Sequence, residues 1–176
     1  KIAAFHNEQK LKVIWINSEK LEENDPKAWK DLKSASGIVV PGGFGMRGTE
    51  GKILSARYAR ENKVPYLGLC LGMQLMTIEF ARHVYKNDKL TSEEFDQDGK
   101  LDPSQYVIHF LPNQSWHKHK GGTLRLGVYE CSLTPGTRTR AFYGASTVEE
   151  RHRHRYEFNN VFRKKLELAG WIASGI

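Results

Sequence analysis

The sequence has few cysteines, no long apolar run and no leader-like beginning. Cys70 and Cys131 are its only cysteines among 176 residues. Two are too few for a disulfide framework, so a reducing compartment is expected and at least one thiol can stay free. No apolar run approaches the roughly 18 residues that span a bilayer, and no cationic head precedes an apolar stretch at the N-terminus. These absences predict a cytoplasmic protein without membrane contact.

Motifs for phosphates, metals and nucleic acids are also missing. There is no GxxxxGK[ST] phosphate loop. His117 and His119 have no partners at metal-ligand spacing, and the pair His152 and His154 alone is more often structural. The net charge of +7 predicts anionic partners, but no folded nucleic-acid module is legible. We therefore expect carboxylates or phosphorylated small molecules as ligands, and neither a metal nor nucleic acid.

Strand-like and helix-like segments alternate through the first half of the chain. Apolar patterns predict strands at 12–16, 38–40 and 64–69, and helices that begin near Asp25-Pro26, Thr49 and Leu71. Asp25 is typical of an N-cap, with proline at the first helical position, and Thr49 is expected to cap the next helix. Short links between the segments predict an α/β fold, a three-layer sandwich with a mainly parallel central sheet. Sites in such sheets lie beyond the carboxyl ends of the strands.

The second half of the chain is less regular. Polar residues dominate from 85 to 122, which predicts a long irregular insertion. Alternating patterns then predict strands at 123–131 and 148–158, and a short helix with a strand-like stretch at 171–173 follows.

The sharpest motif is Gly68-Leu69-Cys70-Leu71-Gly72, where a predicted strand turns directly into a helix. This pattern is typical of a nucleophile elbow, in which a side chain two residues away on either side would collide with the tight turn. The N-terminus of the next helix favours a thiolate, and its N–H groups can stabilise an oxyanion. Cys70 is the predicted nucleophile, against the alternative of a buried structural cysteine.

A second glycine-rich stretch, Pro41-Gly42-Gly43-Phe44-Gly45, ends the strand at 38–40. Its glycines allow close backbone approach to a ligand and expose N–H groups. In a parallel sheet it would lie beside Cys70 and supply the second oxyanion donor. A plain sharp turn is the open alternative.

The segment 151–157 reads RHRHRYE. On a strand, Arg151, Arg153 and Arg155 would face one way and the histidines the other. An arginine on this strand could bind a carboxylate through two hydrogen bonds. The alternative is a solvated edge strand, which basic residues protect from aggregation.

With these motifs in view, the chain resembles the glutamine amidotransferase domain of the CTP synthase family, a class I (triad) amidotransferase with a flavodoxin-like fold. The elbow indicates only the superfamily, whereas the GGFGMRGTEG and RHRHRYE stretches indicate the CTP synthase branch. Four stretches carry the resemblance: 41–52, 58–74, 121–127 and 150–159.

The resemblance implies an enzyme, a ligase that forms a C–N bond in pyrimidine nucleotide biosynthesis. Glutamine would be hydrolysed through a Cys70 thioester, and its ammonia would aminate UTP to CTP at the expense of ATP. No cofactor is implied for this segment. ATP and magnesium would bind to a separate synthase domain, GTP would activate the whole enzyme allosterically, and that enzyme would be a homo-oligomer, a tetramer.

The resemblance also implies residue roles. Gly43 and Leu71 would offer oxyanion N–H groups, Glu94 would hold the α-amino group of glutamine, and Arg155 its α-carboxylate. The remaining expected residues line the glutamine pocket (Phe44, Gly72, Met73 and Gln74) or match the loop implicated in GTP activation (Arg47, Gly48 and Glu50).

One departure is as informative as the match. The family's general base lies in a His-Pro-x-Glu motif, and no histidine of this sequence is followed by proline. We expect residues 1–176 to be a partial amidotransferase domain without its first strand, without the segment that carries this motif and without the synthase domain, and to be inactive alone. The alternatives are another triad amidotransferase or a non-catalytic module that lacks the base.

Overall fold

The computed structural model describes residues 1–111 and 125–176. These residues form two compact units, Lys1–Met76 and Thr77–Ile176, and each is described by itself. Thr123, at the start of a predicted strand, lies outside the described residues, as do His117 and His119. No described helix is long and apolar enough to cross a membrane.

The first unit contains a pair of parallel strands with helices. Its elements are α1 (Ile2–His6), α2 (Ser18–Glu22), α3 (Pro26–Lys33), β1 (Ile38–Val40), α4 (Thr49–Asn62), β2 (Tyr66–Gly68) and the beginning of α5 (Leu71–Tyr85). β1 and β2 pair in parallel, with Ile38 opposite Tyr66 and Val40 opposite Gly68. The predicted parallel pairing is confirmed here, so the segments that follow the two strands leave the sheet at the same edge.

One apolar cluster holds this unit together. Asp25 caps α3 as predicted, because its carboxylate accepts a hydrogen bond from the Ala28 N–H at 2.8 Å. Trp29, one turn into that helix, packs against the cluster and is in edge-to-face contact with Tyr58 of α4. The buried members come from α2, α3, α4 and β1: Leu21, Ala28, Leu32, Ile38, Val40 and Ala59.

Two local predictions for this unit are wrong. Residues 12–16 form no strand, and Trp15 is 90% exposed. β-branched and aromatic residues suit a pleated, half-buried surface, but no described strand pairs with this segment. Thr49 does not cap α4; the N-cap is Gly48, with φ of 67°, and Thr49 is the first helical residue, whose hydroxyl donates to the Met46 carbonyl.

The second unit contains the rest of α5 and two small sheets. Strand β4 is in the middle of the first sheet, parallel to β3 and antiparallel to β7, and β5 and β6 pair antiparallel in the second. The elements are β3 (Thr91–Ser92), β4 (Tyr106–Phe110), β5 (Arg125–Ser132), α6 (Arg138–Tyr143), β6 (Thr147–His154), β7 (Tyr156–Phe158) and α7 (Arg163–Leu168), with 3-10 turns at Glu93–Phe95, Pro103–Gln105 and Asn160–Phe162.

Three predictions for the second unit need correction. The expected irregular insertion contains β4, whose Val107 and Ile108 are fully buried. The predicted strand at 148–158 is two strands, because β6 ends at His154 and β7 begins at Tyr156 in the other sheet. The stretch 171–173 forms no strand; the described bridge nearby joins Leu133 and Gly175. The sequence patterns gave wrong predictions here because the burial and pairing of a strand depend on strands that are distant in the sequence.

Candidate active site

Cys70 lies between β2 and α5, with its backbone in the left-handed region at φ of 52°. A Cβ on Gly68 would lie 2.5 Å from the carbonyl carbon of Gly72, and one on Gly72 would lie 2.1 Å from the Val40 carbonyl oxygen. Both distances are impossible contacts, so the elbow needs glycine on each side, as the sequence predicted. A non-glycine residue in this backbone conformation stores strain, which is common at functional sites.

The glycine-rich loop after β1 lies beside this turn. A Cβ built on Gly42 would be 3.2 Å from Cys70 Cβ and 3.8 Å from its Sγ, and one on Gly43 would be 3.4 Å from Leu71 Cδ2. The Leu69 N–H donates to the Val40 carbonyl at 2.9 Å, which ties the elbow to the end of β1. The predicted neighbourhood of loop and elbow is therefore confirmed within the first unit.

The two main-chain N–H groups expected as oxyanion donors belong to Gly43, in the loop after β1, and to Leu71, the first residue of α5. Within residues 1–111 and 125–176, the N–H groups of Gly43 and Leu71 donate no hydrogen bond. By contrast, the N–H groups of Gly72 and Gln74 are used inside the turn, donating to Leu69 and Cys70 carbonyls. An unpaired N–H beside a nucleophile can donate a hydrogen bond to a tetrahedral oxyanion and so stabilise its charge. The arrangement is consistent with the roles expected for Gly43 and Leu71, which stay predictions.

The other residues expected around glutamine in the first unit differ in exposure. Cys70 is exposed and Phe44 is 89% exposed, whereas Gly72 and Gln74 are buried. Met73, between them, is 42% exposed. Cys70 is therefore exposed at the start of a helix whose first two residues, Leu71 and Gly72, are buried.

Glu94 and Arg155 both belong to the second unit. Glu94 is buried in the 3-10 turn after β3, where its N–H donates to Ser92 Oγ at 3.2 Å. Arg155 is half-buried at the single residue between β6 and β7, and its carbonyl accepts from the Leu111 N–H at 2.9 Å. The strand break removes Arg155 from the common face with Arg151 and Arg153 that the sequence predicted.

Sequence reasoning did not include Tyr156, the residue that follows Arg155, in the candidate site. Burial raises the pKa of Tyr156, and the charge of Glu94 raises it further, while the charge of Arg155 and a hydrogen bond from its side chain oppose the shift. The Tyr156 side chain is buried, and its ring packs on that of Phe110, with 4.6 Å between the centroids. The available signal was its position directly after Arg155; the sequence analysis placed it only on a strand face.

The histidines of the RHRHRYE stretch contact each other. His152 Nδ1 lies 2.8 Å from His154 Nε2, and His154 Nδ1 lies 3.1 Å from the Tyr156 carbonyl oxygen. Burial, followed by the charges of His152 and Arg125, lowers the pKa of His154. Among the described residues, no three His, Cys, Asp or Glu side chains could hold a metal ion. In that same part of the chain, Cys70 has no hydrogen-bonded histidine.

The loop expected to respond to GTP is fixed to α2. The Arg47 guanidinium forms two hydrogen bonds with the Glu19 carboxylate, at 2.8 and 2.9 Å, and these bonds lower the pKa of Glu19. Gly48 is buried, and a Cβ there would lie 2.2 Å from Ser18 Oγ. Glu50 is exposed in the first turn of α4. Their part in GTP binding stays a prediction.

Cys131 lies in a different environment from Cys70. It is half-buried in β5 opposite Val148. A Cβ on Gly175 would approach its Sγ to 2.7 Å, which shows how closely the backbone packs on this thiol. Cys70 is therefore the more accessible of the two thiols.

The comparisons with known proteins agree on one family. The family model described as glutamine amidotransferase class-I matches residues 3–176. A CTP synthase of Dehalococcoides mccartyi is 50% identical over 174 residues, 99% of this chain and 31% of the relative. One of Roseiflexus sp. is 53% identical over 174 residues, 98% of this chain and 30% of the relative. The chain thus spans about a third of the length of these relatives.

A solved structure agrees with this result. It is described as Trypanosoma brucei CTPS, glutaminase domain with bound acivicin, and it matches with a TM-score of 0.84 and 34% identity over 98% of this chain and 64% of that one. The match confirms the predicted α/β class and the resemblance drawn from the motifs.

Proposed function

This chain belongs to the class I glutamine amidotransferase family, and from that premise we propose that it is the glutamine-hydrolysing part of a CTP synthase. The observation that carries the proposal is the exposed Cys70 at a strained elbow, next to two N–H groups that are unpaired within the described part of the chain. The high identity to CTP synthases over nearly the whole chain supports the branch.

The elbow suits hydrolysis of an amide through a thioester. The Cys70 thiolate attacks the side-chain carboxamide carbon of glutamine, and the N–H groups of Gly43 and Leu71 stabilise the oxyanion. The C–N bond then breaks, the leaving nitrogen takes a proton and departs as ammonia, and a thioester remains. A water molecule attacks this thioester, releases glutamate and returns the thiol.

Charge complementarity supports the substrate assignment. Glutamine carries one carboxylate and one ammonium group on its α-carbon, and an arginine and a glutamate are the matching partners. We assign the α-carboxylate to Arg155 and the α-amino group to Glu94. Phe44 and the segment from Leu71 through Gly72 and Met73 to Gln74 line the pocket for the remainder of the substrate. Acivicin, bound in the Trypanosoma brucei structure, is a glutamine analogue and supports this substrate class.

The use of the ammonia is proposed for the whole protein and not for this chain alone. We propose that it aminates UTP to CTP in the cytoplasm, with ATP and magnesium bound outside this chain, and that the enzyme is a homotetramer. GTP would act as an activator through Arg47, Gly48 and Glu50. The two hydrogen bonds from Arg47 to Glu19 support a fixed loop on which an effector could act.

Covalent labelling tests the nucleophile. We expect acivicin to modify Cys70 and not Cys131, because the first thiol is accessible and the second is packed against the backbone near Gly175. Peptide mass mapping locates the label in the wild type and in matched Cys70→Ser and Cys131→Ser variants. Equal or preferential modification of Cys131 would contradict the assignment.

The rate of glutamine hydrolysis tests whether the general base lies within this chain. Protonation of the leaving nitrogen and activation of the attacking water both need a histidine that acts as general acid and base. Such a residue typically contributes ~10²–10⁴-fold to the rate, and the residues of a triad act as a unit. We expect the 176-residue chain to release no measurable ammonia from glutamine, while a protein extended through a His-Pro-x-Glu motif does. Comparable glutamate release from both would place the base at a histidine of this chain.

A further inference from the structure

We propose that His154 is a positioning residue for glutamine, holding the backbone of Arg155 in place so that the arginine side chain can bind the substrate carboxylate. The inference rests on the proposed function and deepens the assignment of Arg155 by naming the group that fixes it. Every contact that carries it lies within the second unit.

Arg155 is the single residue between two sheets. Strand β6, which pairs with β5, ends at His154, and strand β7, which pairs with β4, begins at Tyr156. The Leu111 N–H donates to the Arg155 carbonyl at 2.9 Å, which ties this junction to the end of β4. The direction in which the Arg155 side chain leaves the backbone therefore depends on what holds the residues on either side of it.

The Tyr156 carbonyl points away from the neighbouring strand. Hydrogen-bonded and non-hydrogen-bonded residue pairs alternate along antiparallel strands, and the bond between Leu111 and Arg155 makes these two a hydrogen-bonded pair. The next pair, Phe110 with Tyr156, is therefore of the other kind. The Phe110 N–H donates instead to the Glu93 carboxylate at 2.8 Å. Since β7 lies at the edge of the sheet that the described residues form, the Tyr156 carbonyl needs a donor from a side chain.

His154 supplies this donor. Its Nδ1 lies 3.1 Å from the Tyr156 carbonyl oxygen, and because a carbonyl oxygen can only accept, Nδ1 carries the proton. The hydrogen bond reaches from the residue before Arg155 to the residue after it, and so closes a ring around the Arg155 backbone. Together with the bond from Leu111, it fixes two successive carbonyl groups at the junction.

A second histidine orients the first. A neutral His154 with its proton on Nδ1 has a lone pair on Nε2, so His152 Nδ1, 2.8 Å from that atom, is the donor of the bond between them. The His152 ring is in edge-to-face contact with Tyr129 of β5, with 5.4 Å between centroids. The central carbon of the Arg125 guanidinium lies 4.5 Å from the centroid of the same tyrosine ring. Side chains of the second sheet therefore hold the imidazole that contacts the Tyr156 carbonyl.

The position of the Arg155 backbone matters because of how an arginine binds a carboxylate. Two parallel hydrogen bonds form only when the guanidinium approaches in one plane and from one direction. The backbone angles of Arg155 set where its long side chain starts. Without the bond to the Tyr156 carbonyl these angles are less restricted, and substrate binding has to order them. We therefore expect the loss of this bond to weaken glutamine binding.

Asparagine and glutamine distinguish the two ring nitrogens of His154. The amide nitrogen of asparagine takes the position of Nδ1 and can donate to the Tyr156 carbonyl. The amide nitrogen of glutamine takes the position of Nε2 and cannot make the same bond. Both substitutions remove the imidazole, so a comparison of His154→Asn with His154→Gln separates the hydrogen bond from the ring.

The test is glutamine kinetics of both variants in the full-length protein that contains this chain. We expect His154→Gln to raise the KM for glutamine about three- to tenfold, as for loss of one hydrogen bond. The kcat should stay within about twofold, because carboxylate binding is shared by ground and transition states. His154→Asn should keep the wild-type KM within about twofold, and neither variant should change ammonia-dependent CTP formation. In an Arg155→Ala background, His154→Gln should add nothing, since it acts through that arginine.

Thr134→Val is the matched control. The Thr134 hydroxyl donates to the Ala173 carbonyl at 2.6 Å, so the variant loses another bond from a side chain to a backbone carbonyl of the second unit. Thr134 follows the end of β5 at Ser132, whereas His154 is opposite Arg125 at the other end of that strand. We expect the glutamine KM of Thr134→Val to equal that of the wild type.

Five results would each overturn the proposal: an unchanged KM in His154→Gln, an equal rise in His154→Asn, an equal rise in Thr134→Val, an additive effect on Arg155→Ala, or loss of ammonia-dependent synthesis in His154→Gln. The last result would assign the histidine to the stability of the fold. A wild type that forms CTP from ammonia but does not hydrolyse glutamine would instead overturn the proposed function.

Discussion

The nucleophile elbow in the first unit consists of backbone features. In the second unit, Arg155 and Glu94, here called the Arg155 corner, are proposed to act through their side chains. At the elbow the working parts are backbone: a left-handed residue, two glycines without space for a Cβ, and two N–H groups that have no partner among residues 1–111 and 125–176. At the corner the proposed working parts are side chains: the Arg155 guanidinium between β6 and β7, and the buried Glu94 carboxylate in the 3-10 turn after β3.

This difference determines how each region should fail. A backbone-built site has steric requirements that are part of the fold, so its essential positions cannot be changed without loss of stability. A side-chain site can lose a group and keep its fold, so its variants should bind substrate weakly while remaining stable. Each of the following predictions separates these two modes of failure.

The largest effect is expected for Gly72→Ala. A Cβ at this position would lie 2.1 Å from the carbonyl oxygen of Val40 and 2.9 Å from its carbonyl carbon. Because these are backbone atoms, no change of side-chain rotamer relieves the contact. We expect the free energy of unfolding to fall by about 3 kcal/mol or more, together with loss of acivicin labelling at Cys70. Urea denaturation measures the first effect. Gly37→Ala is the matched control, since its Cβ would meet nothing nearer than 3.6 Å; equal stability of both variants would contradict the steric account.

At the corner, Arg155→Ala should change binding and spare the fold. Loss of a charged hydrogen bond predicts a rise of roughly 10- to 100-fold in the KM for glutamine, a smaller fall in kcat, and unchanged ammonia-dependent synthesis. Arg153→Ala, an exposed arginine two residues earlier, is the control and should behave as the wild type. If ammonia-dependent synthesis fell as far as the glutamine-dependent rate, Arg155 would have another role.

The smallest effect concerns pH. Burial, His152 and Arg125 lower the pKa of His154, so the folded state binds its proton less well than the unfolded state does. The contribution of a neutral His154 to stability is complete above the unfolded pKa of about 6.5 and is lost as the pH falls through the lower, folded pKa. We expect His154→Gln to reduce the loss of stability between pH 7.5 and 5.5, measured by urea midpoints. The exposed His83→Gln serves as control, and an equal response of both would contradict this assignment.

The sequence predicted the elements whose determinants are local. Asp25 before Pro26 marked the start of α3, and the apolar spacing after Cys70 marked α5; both helices begin where expected. The elbow could be predicted from the sequence for the same reason. Where steric contacts require glycine, that requirement is visible in the sequence at the position itself. Two such glycines flank the cysteine, each two residues away.

Only the tertiary structure decided the features that depend on a distant partner. Residues 12–16 have the composition of a strand but no strand beside them, whereas 106–110, in a polar surrounding, pair with both β3 and β7 and are largely buried. The break at Arg155 exists because successive strands join different sheets, and it brings Tyr156 opposite Phe110. By itself the sequence determined the backbone of the nucleophile, because steric exclusion acts over a few residues. The surroundings of Arg155 needed the fold, because sheet pairing and charge act between residues that are far apart in the chain.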